Sequence, residues 1–355
     1  MPADAMAIKE TRNSDSHAAD HLIESISMTG FPTRRLRRLR LNPSLREMLA
    51  EVRLARQELI APLFVRQGLE RPVEIPSLPG HFQHSVESAM ELVKRWADLG
   101  LQAVLLFGIP EKKDSFGSAA WDDKQVVQQL AGLIKAHMPG MVVMTDVCLC
   151  EYTDHGHCGP MQTRTDGQVT VDNDAALESL ARIALSHARC GSDVVSPSAM
   201  MDGQVGAIRH ALDAKGFKDT AIMSYSVKFA SSMYGPFRQA AQSAPSAGDR
   251  KSYQMDYRCP SQSFMEAQMD IDEGADIIMV KPAATYLDVI RDLRGRFEVP
   301  LCAYHVSGEY AAIKAAAMAG WIDERAAVLE VTTAIKRAGA NLIITYYAEQ
   351  LAQWI

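Results

Sequence analysis

Short apolar runs alternate with longer amphipathic stretches from about residue 58 to the end of the chain. Runs of this length that lack strict polar alternation are typical of strands buried on both faces of a parallel sheet. We predict eight such strands, at residues 59–65, 103–107, 141–147, 193–196, 221–226, 276–280, 300–305 and 342–346.

The stretches between these runs have the spacing of amphipathic helices. One of them places Leu92, Val93, Trp96 and Leu99 on a single face and stops at Gly100, a residue type that commonly ends a helix. A series of eight strand–helix units favours a closed (β/α)₈ barrel, the TIM barrel, over an open doubly wound sheet. The open sheet is further disfavoured because no glycine-rich dinucleotide fingerprint follows the first strand.

The first 57 residues do not share this alternation. Residues 1–30 are polar and aperiodic, and we predict that they form a mobile extension. Residues 31–57 are predicted to form an arm for subunit contacts, which leaves residues 58–355 for the barrel. The arm is rich in arginine between positions 34 and 40, which is a pattern that can bind an anionic lipid or nucleic acid. Beside an acidic body, a solvated arm or an intersubunit contact is the favoured interpretation.

Composition and charge exclude several functional classes. With 47% hydrophobic and 23% charged residues, the chain is typical of an ordinary globular protein. Its formal net charge of −6 disfavours nucleic acid as a partner. No window approaches the roughly 18 apolar residues of a membrane span, and no secretion signal is recognisable at the N-terminus. We therefore expect a cytoplasmic protein that binds neither membrane nor nucleic acid.

Three of the six cysteines lie close together in the loop after the third predicted strand. Cys148, Cys150 and Cys158 have the spacing C-x-C-x₇-C, which lets three thiolates converge on one tetrahedral ion and leaves a fourth position for water or substrate. Free cysteines also serve as small buried apolar residues, but this loop is rich in Gly, His and Asp. Soft thiolates favour zinc, so we predict a zinc site. His155 and His157 lie in the same loop, and spacing alone excludes neither as a ligand.

A lysine stands at the end of each of two consecutive predicted strands, Lys228 after the fifth and Lys281 after the sixth. Snorkelling to the barrel mouth explains one such lysine better than two. Neighbouring strands lie about 4.8 Å apart, so each ammonium disfavours the other, and partial burial also lowers a lysine pKa. Because a neutral amine attacks ketones, we predict Schiff-base chemistry. Asp146, at the end of the third strand, is placed to transfer protons or to support the cysteines.

The segment between the two lysines has the composition of a mobile loop. Residues 231–252 are rich in Ser, Gly, Ala and Pro, and we predict a lid over the active site. Its Arg238 and Arg250 offer planar guanidinium groups for a carboxylate, although an exposed basic loop is the alternative. Ser307 and Tyr346 end the seventh and eighth strands, where their hydroxyls suit a second carboxylate, a proton transfer or simple packing.

Six long motifs run along the chain. They are DVCLCEYTDHGHCG from Asp146, SPSAMMDGQVGAIR from Ser196, MSYSVKFASSMYGPFR from Met223, GDRKSYQMD from Gly248, MVKPA from Met279 and YHVSGEY from Tyr304. Over nearly all of residues 31–355 the chain resembles the porphobilinogen synthase (5-aminolevulinate dehydratase) family. The resemblance implies a homo-octameric (β/α)₈ enzyme of tetrapyrrole (haem) biosynthesis, which condenses two molecules of 5-aminolevulinate to porphobilinogen with loss of two waters.

The resemblance also implies how the two substrate molecules are held. Lys281 would form the Schiff base at one substrate site, the P site, and Lys228 would serve the other, the A site. The residues implied to hold the substrate carboxylates are Arg238, Arg250 and Gln254 at the A site and Ser307 and Tyr346 at the P site.

The same resemblance implies two metal ions. Cys148, Cys150 and Cys158 would ligate a catalytic zinc, whereas family members that lack these thiols depend on magnesium. Glu266 matches the family's allosteric magnesium position.

Two other functions share part of this pattern. A Schiff-base aldolase on the same barrel needs one lysine and no thiolate-bound metal. A metal-binding regulatory or assembly protein without activity is expected to lack at least one of the lysines or lid arginines. The second lysine and the cysteine loop argue against the aldolase, and the complete set of lysines and arginines argues against the inactive protein.

Overall fold

The computed structural model describes residue 30 and residues 33–355. The mobile extension predicted at residues 1–30 therefore lies, except for its last residue, outside the described part of the chain. The chain divides into two compact units, with the boundary between Arg53 and Leu54.

The first unit contains two short helices. A 3₁₀ helix at Leu36–Leu39 precedes helix α1 at Pro43–Met48. The side chain of Asn42 accepts hydrogen bonds from backbone N–H groups of the first turn of α1, which is the usual way to begin a helix. Within the described part of this unit no residue is fully buried, so its apolar side chains have no core of their own.

The second unit contains twelve strands. They are β1 Leu59–Arg66, β2 Val73–Glu74, β3 Phe82–His84, β4 Ala103–Ile109, β5 Val142–Val147, β6 Met161–Thr163, β7 Val169–Val171, β8 Val194–Pro197, β9 Ala221–Lys228, β10 Ile277–Lys281, β11 Leu301–His305 and β12 Leu342–Thr345. Its helices are α2 Val86–Asp98, α3 Val126–His137, α4 Asn173–Arg189, α5 Gln204–Ala214, α6 Gly235–Ala240, α7 Gln262–Asp272, α8 Leu287–Arg294, α9 Ser307–Met318, α10 Glu324–Ala338 and α11 Ala348–Trp354. Three 3₁₀ helices lie at Arg56–Glu58, Ser118–Trp121 and Ser232–Tyr234.

Eight of these strands form a closed parallel barrel, which confirms the predicted fold. Their order around the barrel is β1, β4, β5, β8, β9, β10, β11 and β12, and β12 pairs with β1 to close it. The barrel strands are almost wholly buried, β4 along its whole length, because side chains fill the interior and helices cover the outside. This double burial explains the continuous apolar runs of the sequence.

Two strand ends differ from the prediction in an informative way. The fifth and sixth strands were expected to end at residues 226 and 280, with the lysines beyond them. The structure instead makes Lys228 the last residue of β9 and Lys281 the last residue of β10, paired with each other in the parallel register. The ladder continues to these residues because both side chains are accommodated inside the barrel mouth.

Helix α2 shows how the local sequence sets the helix bounds. The Ser85 side chain accepts a hydrogen bond from the Ser88 backbone N–H and caps the first turn. The helix buries Val93 and Trp96 against the barrel and ends before Gly100, whose φ of 87° continues the chain in the left-handed region. Among the described residues, no helix has both the length and the apolar character needed to cross a membrane.

Candidate active site

Lys228 and Lys281 lie side by side at the carboxyl ends of β9 and β10. Both side chains are 5% exposed. The ring of Tyr225, from β9, lies beneath both amines, with its centroid 5.4 Å from Lys228 Nζ and 4.9 Å from Lys281 Nζ. The two nitrogens therefore share one chamber at the barrel mouth.

The Lys281 amine lies among aromatic rings. The ring centroids of Tyr304, Phe237 and Tyr234 lie 4.2, 5.1 and 5.3 Å from its Nζ atom. Burial and, next, the charge of Lys228 lower the pKa of Lys281 from 10.5 to about 7, although Asp146 acts in the opposite direction. A substantial fraction of this amine is therefore neutral near pH 7, as a nucleophile for carbonyl groups requires.

Lys228 has a different local environment. Its Nζ donates a hydrogen bond to the backbone carbonyl of Ser198, just beyond the end of β8, over 2.5 Å. The carbonyl fixes the direction of the amine. The two lysines are thus placed by three adjacent strands, β8, β9 and β10.

The three clustered cysteines converge in space. The Sγ atoms of Cys148, Cys150 and Cys158 all lie within 4.8 Å of one another, and all three residues are buried and free of disulfides. The loop reverses because the Thr153 backbone N–H donates to the carbonyl of Leu149 and its hydroxyl donates to the carbonyl of His157. Three converging thiols of this kind fit a soft, tetrahedral metal ion such as zinc.

The cysteines of the cluster differ in acidity, because burial raises the pKa of Cys148 well above its usual range. Hydrogen bonds from the Cys148 and Cys150 thiols lower the pKa of Cys158 well below its usual range, and the nearby charges of Arg250 and Lys228 act in the same direction. A thiolate is the form in which cysteine binds metal.

The two histidines of the loop serve a different purpose. The ring nitrogens of His157 lie 3.1 Å from the Tyr253 hydroxyl and 2.9 Å from the Ala247 carbonyl. His155 Nε2 lies 3.2 Å from the carbonyl of Ser115, and its Nδ1 accepts from the backbone N–H of His157. Neither imidazole belongs to the group of ligand atoms that lie within 4.8 Å of one another, whereas the three thiols do.

The predicted lid segment folds against the cysteine loop. It comprises the 3₁₀ helix at Ser232–Tyr234, helix α6 and a series of turns. The Ser246 N–H donates to the carbonyl of His155 at 3.0 Å, and Arg250 Nη2 donates to the carbonyls of Gly156 and Ser243 at 2.8 and 2.6 Å. The lid therefore connects the cysteine loop to the lysine strands.

Three predicted carboxylate-binding side chains have unused polar atoms. Arg238 Nε, Arg250 Nε and both amide atoms of Gln254 are buried without a hydrogen-bond partner among the described residues. Burial, followed by the charge of Arg250, lowers the pKa of Arg238. Because buried polar groups are nearly always satisfied in native proteins, such a set indicates a binding site for a polar or anionic group.

Ser307 and Tyr346 contact two of the aromatic residues that lie around Lys281. Ser307 Oγ accepts from the Phe237 backbone N–H at 3.0 Å, at the start of α6. The Tyr346 hydroxyl lies 3.3 Å from the hydroxyl of Tyr304. Each hydroxyl thus contacts a residue whose ring lies close to the Lys281 amine.

Two acidic residues lie beside the thiols: Asp146, which is partly buried, and Glu151, which is fully buried and which the sequence reasoning missed. Burial and, next, the charge of Glu151 raise the pKa of Asp146 to about 8. Burial and, next, the neighbouring Cys150 side chain raise the pKa of Glu151 to about 8, and its Oε2 atom lies 3.2 Å from Cys150 Sγ. The position of Glu151 directly after Cys150 was the available signal. Nothing in the sequence pointed to the Tyr225 ring.

Comparison of the sequence with known families identifies the family to which this chain belongs. The family model described as delta-aminolevulinic acid dehydratase matches residues 33–354. The chain belongs to the delta-aminolevulinic acid dehydratase family. This confirms the resemblance seen in the motifs.

Individual dehydratases agree with this assignment over their whole lengths. The delta-aminolevulinic acid dehydratase of Bacillus subtilis (strain 168) is 50% identical over 321 residues, which cover 90% of this chain and 98% of that protein. That of Methanothermobacter thermautotrophicus is 53% identical over 323 residues, 90% of this chain and 97% of that one. The crystal structure of the Toxoplasma gondii ME49 dehydratase in complex with its reaction product porphobilinogen matches with a TM-score of 0.88 at 40% identity, covering 91% of this chain and 92% of that chain.

Glu266 lies apart from the lysines of this dehydratase, in helix α7. Burial and, next, the charges of Asp270 and Asp202 raise its pKa to about 7. It lines a surface cavity of about 470 Å³ that Gln254 also lines. The structure thus places Glu266 beside one of the predicted substrate-binding residues and away from the thiols.

Proposed function

We propose that this chain condenses two molecules of 5-aminolevulinate to porphobilinogen with loss of two waters, in the tetrapyrrole (haem) pathway. The observation that carries the proposal is the pair of buried lysine amines above one tyrosine ring, beside three converging thiols. The family membership and the product-bound relative support the same chemistry.

Lys281 is proposed as the first nucleophile. Its neutral amine attacks the ketone of one substrate, and the ketone oxygen leaves as water with one proton from the amine and one delivered by an acid such as Asp146. The iminium nitrogen keeps the second proton of the amine. The surrounding tyrosine and phenylalanine faces stabilise a cation and exclude bulk water, which would hydrolyse the imine. The iminium withdraws electrons and eases proton loss from the adjacent carbon.

Lys228 is proposed to form an imine with the second substrate, which releases the second water. The carbon nucleophile of one substrate then bonds to the iminium carbon of the other, and the amino group of one substrate attacks the remaining iminium carbon to close the ring. Both lysines leave as free amines, and proton loss from the ring gives the pyrrole. Asp146 is proposed to move protons in these steps. Its carboxyl lies within 4.8 Å of the Cys148 thiol, interacts electrostatically with both lysines, and has an Oδ1 atom without a partner among the described residues.

Cys148, Cys150 and Cys158 are proposed to hold a catalytic zinc ion. When bound, zinc supplies Lewis acidity towards a substrate oxygen or amine, or activates water. The thiol donor set supports zinc over magnesium, which prefers oxygen ligands. We further propose that Glu266 contributes to an allosteric magnesium site.

The two substrate carboxylates are proposed to be recognised differently. At the A site, beside Lys228, the unused polar atoms of Arg238, Arg250 and Gln254 are suited to one carboxylate. At the P site, beside Lys281, the hydroxyls of Ser307 and Tyr346 are suited to the other. An arginine pair binds an anion more strongly than two neutral hydroxyls do.

The arm is proposed to mediate self-association into a homo-octamer in the cytoplasm. It exposes a group of large apolar side chains, namely Leu36, Leu39, Leu41, Met48 and Leu49. Exposed apolar clusters of this kind mark protein interaction surfaces.

Borohydride trapping tests the proposed function. The protein is incubated with 5-aminolevulinate, reduced, digested and mapped by mass spectrometry, and porphobilinogen is assayed in parallel. We expect an adduct on Lys281, which Lys281→Arg abolishes together with turnover, while Lys94→Arg on the exposed face of α2 changes neither. An adduct on one lysine without formation of the pyrrole would indicate the aldolase, and no adduct on Lys281 would refute the assignment.

A further inference from the structure

Glu309 is a buried carboxylate that the proposed mechanism does not use. It lies in the first turn of α9 and is 6% exposed. Its Oε2 accepts a hydrogen bond from the Val306 N–H at 2.8 Å, and its Oε1 accepts from the Ala284 N–H at 2.7 Å. The Ala283 N–H makes a longer contact of 3.5 Å to Oε2. One side chain thus satisfies backbone donors from two segments that are more than twenty residues apart.

These two segments carry the two ends of the P site. Ala283 and Ala284 closely follow Lys281, whereas Val306 directly precedes Ser307. The carboxylate therefore links the chain that leaves the lysine to the turn that presents the hydroxyl. The distance between the amine and the hydroxyl depends on this link.

The start of the lid meets the same turn of α9. Ser307 Oγ contacts the carbonyl of Met233 at 3.3 Å and accepts from the N–H of Phe237. A Cβ atom added at Gly308 would collide with the backbone of Met233, so the two segments are in close backbone contact. Movement of this turn would consequently also move the ring of Phe237, which lies against the Lys281 amine.

A carboxylate is better suited to this position than its neutral relatives. Both of its oxygens accept hydrogen bonds, whereas an amide would direct one NH₂ group at a backbone donor. Among the described residues no lysine, arginine or histidine pairs with Glu309, so only backbone N–H groups oppose the cost of burial. Burial still raises the pKa of Glu309 to about 7, so the carboxylate form predominates above pH 7. Charge-assisted hydrogen bonds of this kind are roughly twice as strong as neutral ones.

We propose that Glu309 is a positioning residue that sets the separation between the Lys281 amine and the Ser307 hydroxyl, and thereby selects oxo acids whose ketone and carboxylate are spaced to reach both. The inference deepens the proposed function and rests on it. Glu309 touches neither substrate nor metal in this scheme. It acts through the backbone on either side of the P site.

Reductive trapping with two ketones tests this role. The probe 4-oxopentanoate has the ketone and carboxylate of the substrate, and butanone has the ketone alone. In the unsubstituted protein the oxo acid should trap Lys281 at a far lower concentration than butanone. In Glu309→Gln we expect the half-saturating concentration of 4-oxopentanoate to rise about tenfold, the size expected when a buried charge-assisted contact is lost, and that of butanone to change less than twofold.

Glu58 provides a matched control. Its carboxylate likewise accepts from the backbone N–H of the residue three positions earlier, Ala55, at 3.3 Å, and it pairs with Lys336 at 2.6 Å. It precedes β1, at the opposite end of the barrel. Glu58→Gln should lower thermal stability without changing the ratio of the two half-saturating concentrations. Glu309→Asp, which keeps the charge but shortens the reach, should behave like Glu309→Gln and serves as a second variant if the amide does not fold.

The outcomes separate the two levels of the proposal. The positioning role alone would be overturned if neither half-saturating concentration differed between the Glu309 variants and the unsubstituted protein. It would also be overturned if both concentrations rose by the same factor. If Lys281 in the unsubstituted protein traps neither ketone, the proposed function falls, and the positioning role with it. A selective loss for the oxo acid supports both.

Discussion

A lysine amine becomes a nucleophile only where its surroundings disfavour the ammonium ion. For Lys281 burial contributes most, and the adjacent charge of Lys228 contributes next. The aromatic rings around the amine act in a second way, because their faces stabilise whatever cation forms after the ketone is attacked. The same residue-scale environment therefore favours both the neutral reactant and the charged imine.

The pH dependence of trapping follows from this pKa. The Lys281 pKa of about 7 lies below its ordinary value, so the neutral fraction rises as the pH increases through 7 and levels off above it. We expect the initial rate of adduct formation with 5-aminolevulinate to increase about tenfold per pH unit below 7 and to flatten by pH 8. Modification of the exposed Lys94 in the same digest reports the pH dependence of the reagent itself. A Lys281 profile that keeps rising to pH 10 would contradict the lowered pKa.

Metal content provides a second test at this scale. Cys148→Ala removes one of three converging thiols and should reduce tightly bound zinc from about one equivalent to near zero. Cys190→Ala is the control, since this half-buried cysteine directly follows α4 and lies outside the thiol group. Elemental analysis after dialysis measures the difference. Zinc retained by Cys148→Ala would rule out the thiol site.

Chelation should separate the two halves of the chemistry. The Lys281 side chain is placed by β10 and its aromatic neighbours, not by the thiols. We therefore expect a chelator to stop porphobilinogen formation while trapping on Lys281 falls less than twofold. Turnover that survives complete removal of zinc would take the metal out of the mechanism.

At the scale of elements, the contact between the lid and the cysteine loop leaves no room for a side chain. Gly156 has a φ of 70°, and a Cβ atom there would collide with the carbonyl of Ala244 in the lid. The loop and the lid therefore approach each other as backbone against backbone. Only glycine permits both the left-handed conformation and this approach.

Two glycine substitutions separate these effects. Gly156→Ala should move the lid from the cysteine loop, raise KM and lower kcat/KM by about tenfold or more, and expose the segment near Ala244 to proteolysis. Gly167→Ala, in the β6–β7 turn, also has a positive φ of 81° but faces open space. It should cost only the backbone strain of about 1 kcal/mol, visible as a lower Tm with unchanged kinetics. Equal kinetic effects of the two would contradict the proposed lid contact.

At the scale of the whole molecule, the arm is the segment without a core of its own. Its exposed leucines would each gain roughly 1.5–3 kcal/mol if buried in an assembly. Its arginines, by contrast, would matter most if the partner were anionic.

Paired arm variants distinguish these interpretations. Leu39→Asp with Leu41→Asp should reduce the molar mass measured by light scattering to that of a smaller assembly. Arg37→Gln with Arg40→Gln should leave the mass unchanged. If the assembly of the arginine variant dissociates and that of the leucine variant does not, the arm binds through charge and the proposed apolar contact is refuted.

The sequence by itself determined the number and order of the barrel strands and the positions of Lys228, Lys281 and the cysteine loop. Apolar runs, helical periods and metal-ligand spacing are formed by residues close together along the chain, so they can be recognised in the sequence. Three features were decided only by the tertiary structure. They are the burial of the Glu151 carboxyl against the Cys150 thiol, the ring of Tyr225 beneath both amines, and the link that Glu309 makes between two segments. The burial of a residue, its distances to other groups and its pKa depend on all the segments that pack around it. Those segments are distant in sequence, so no single stretch of sequence predicts these properties.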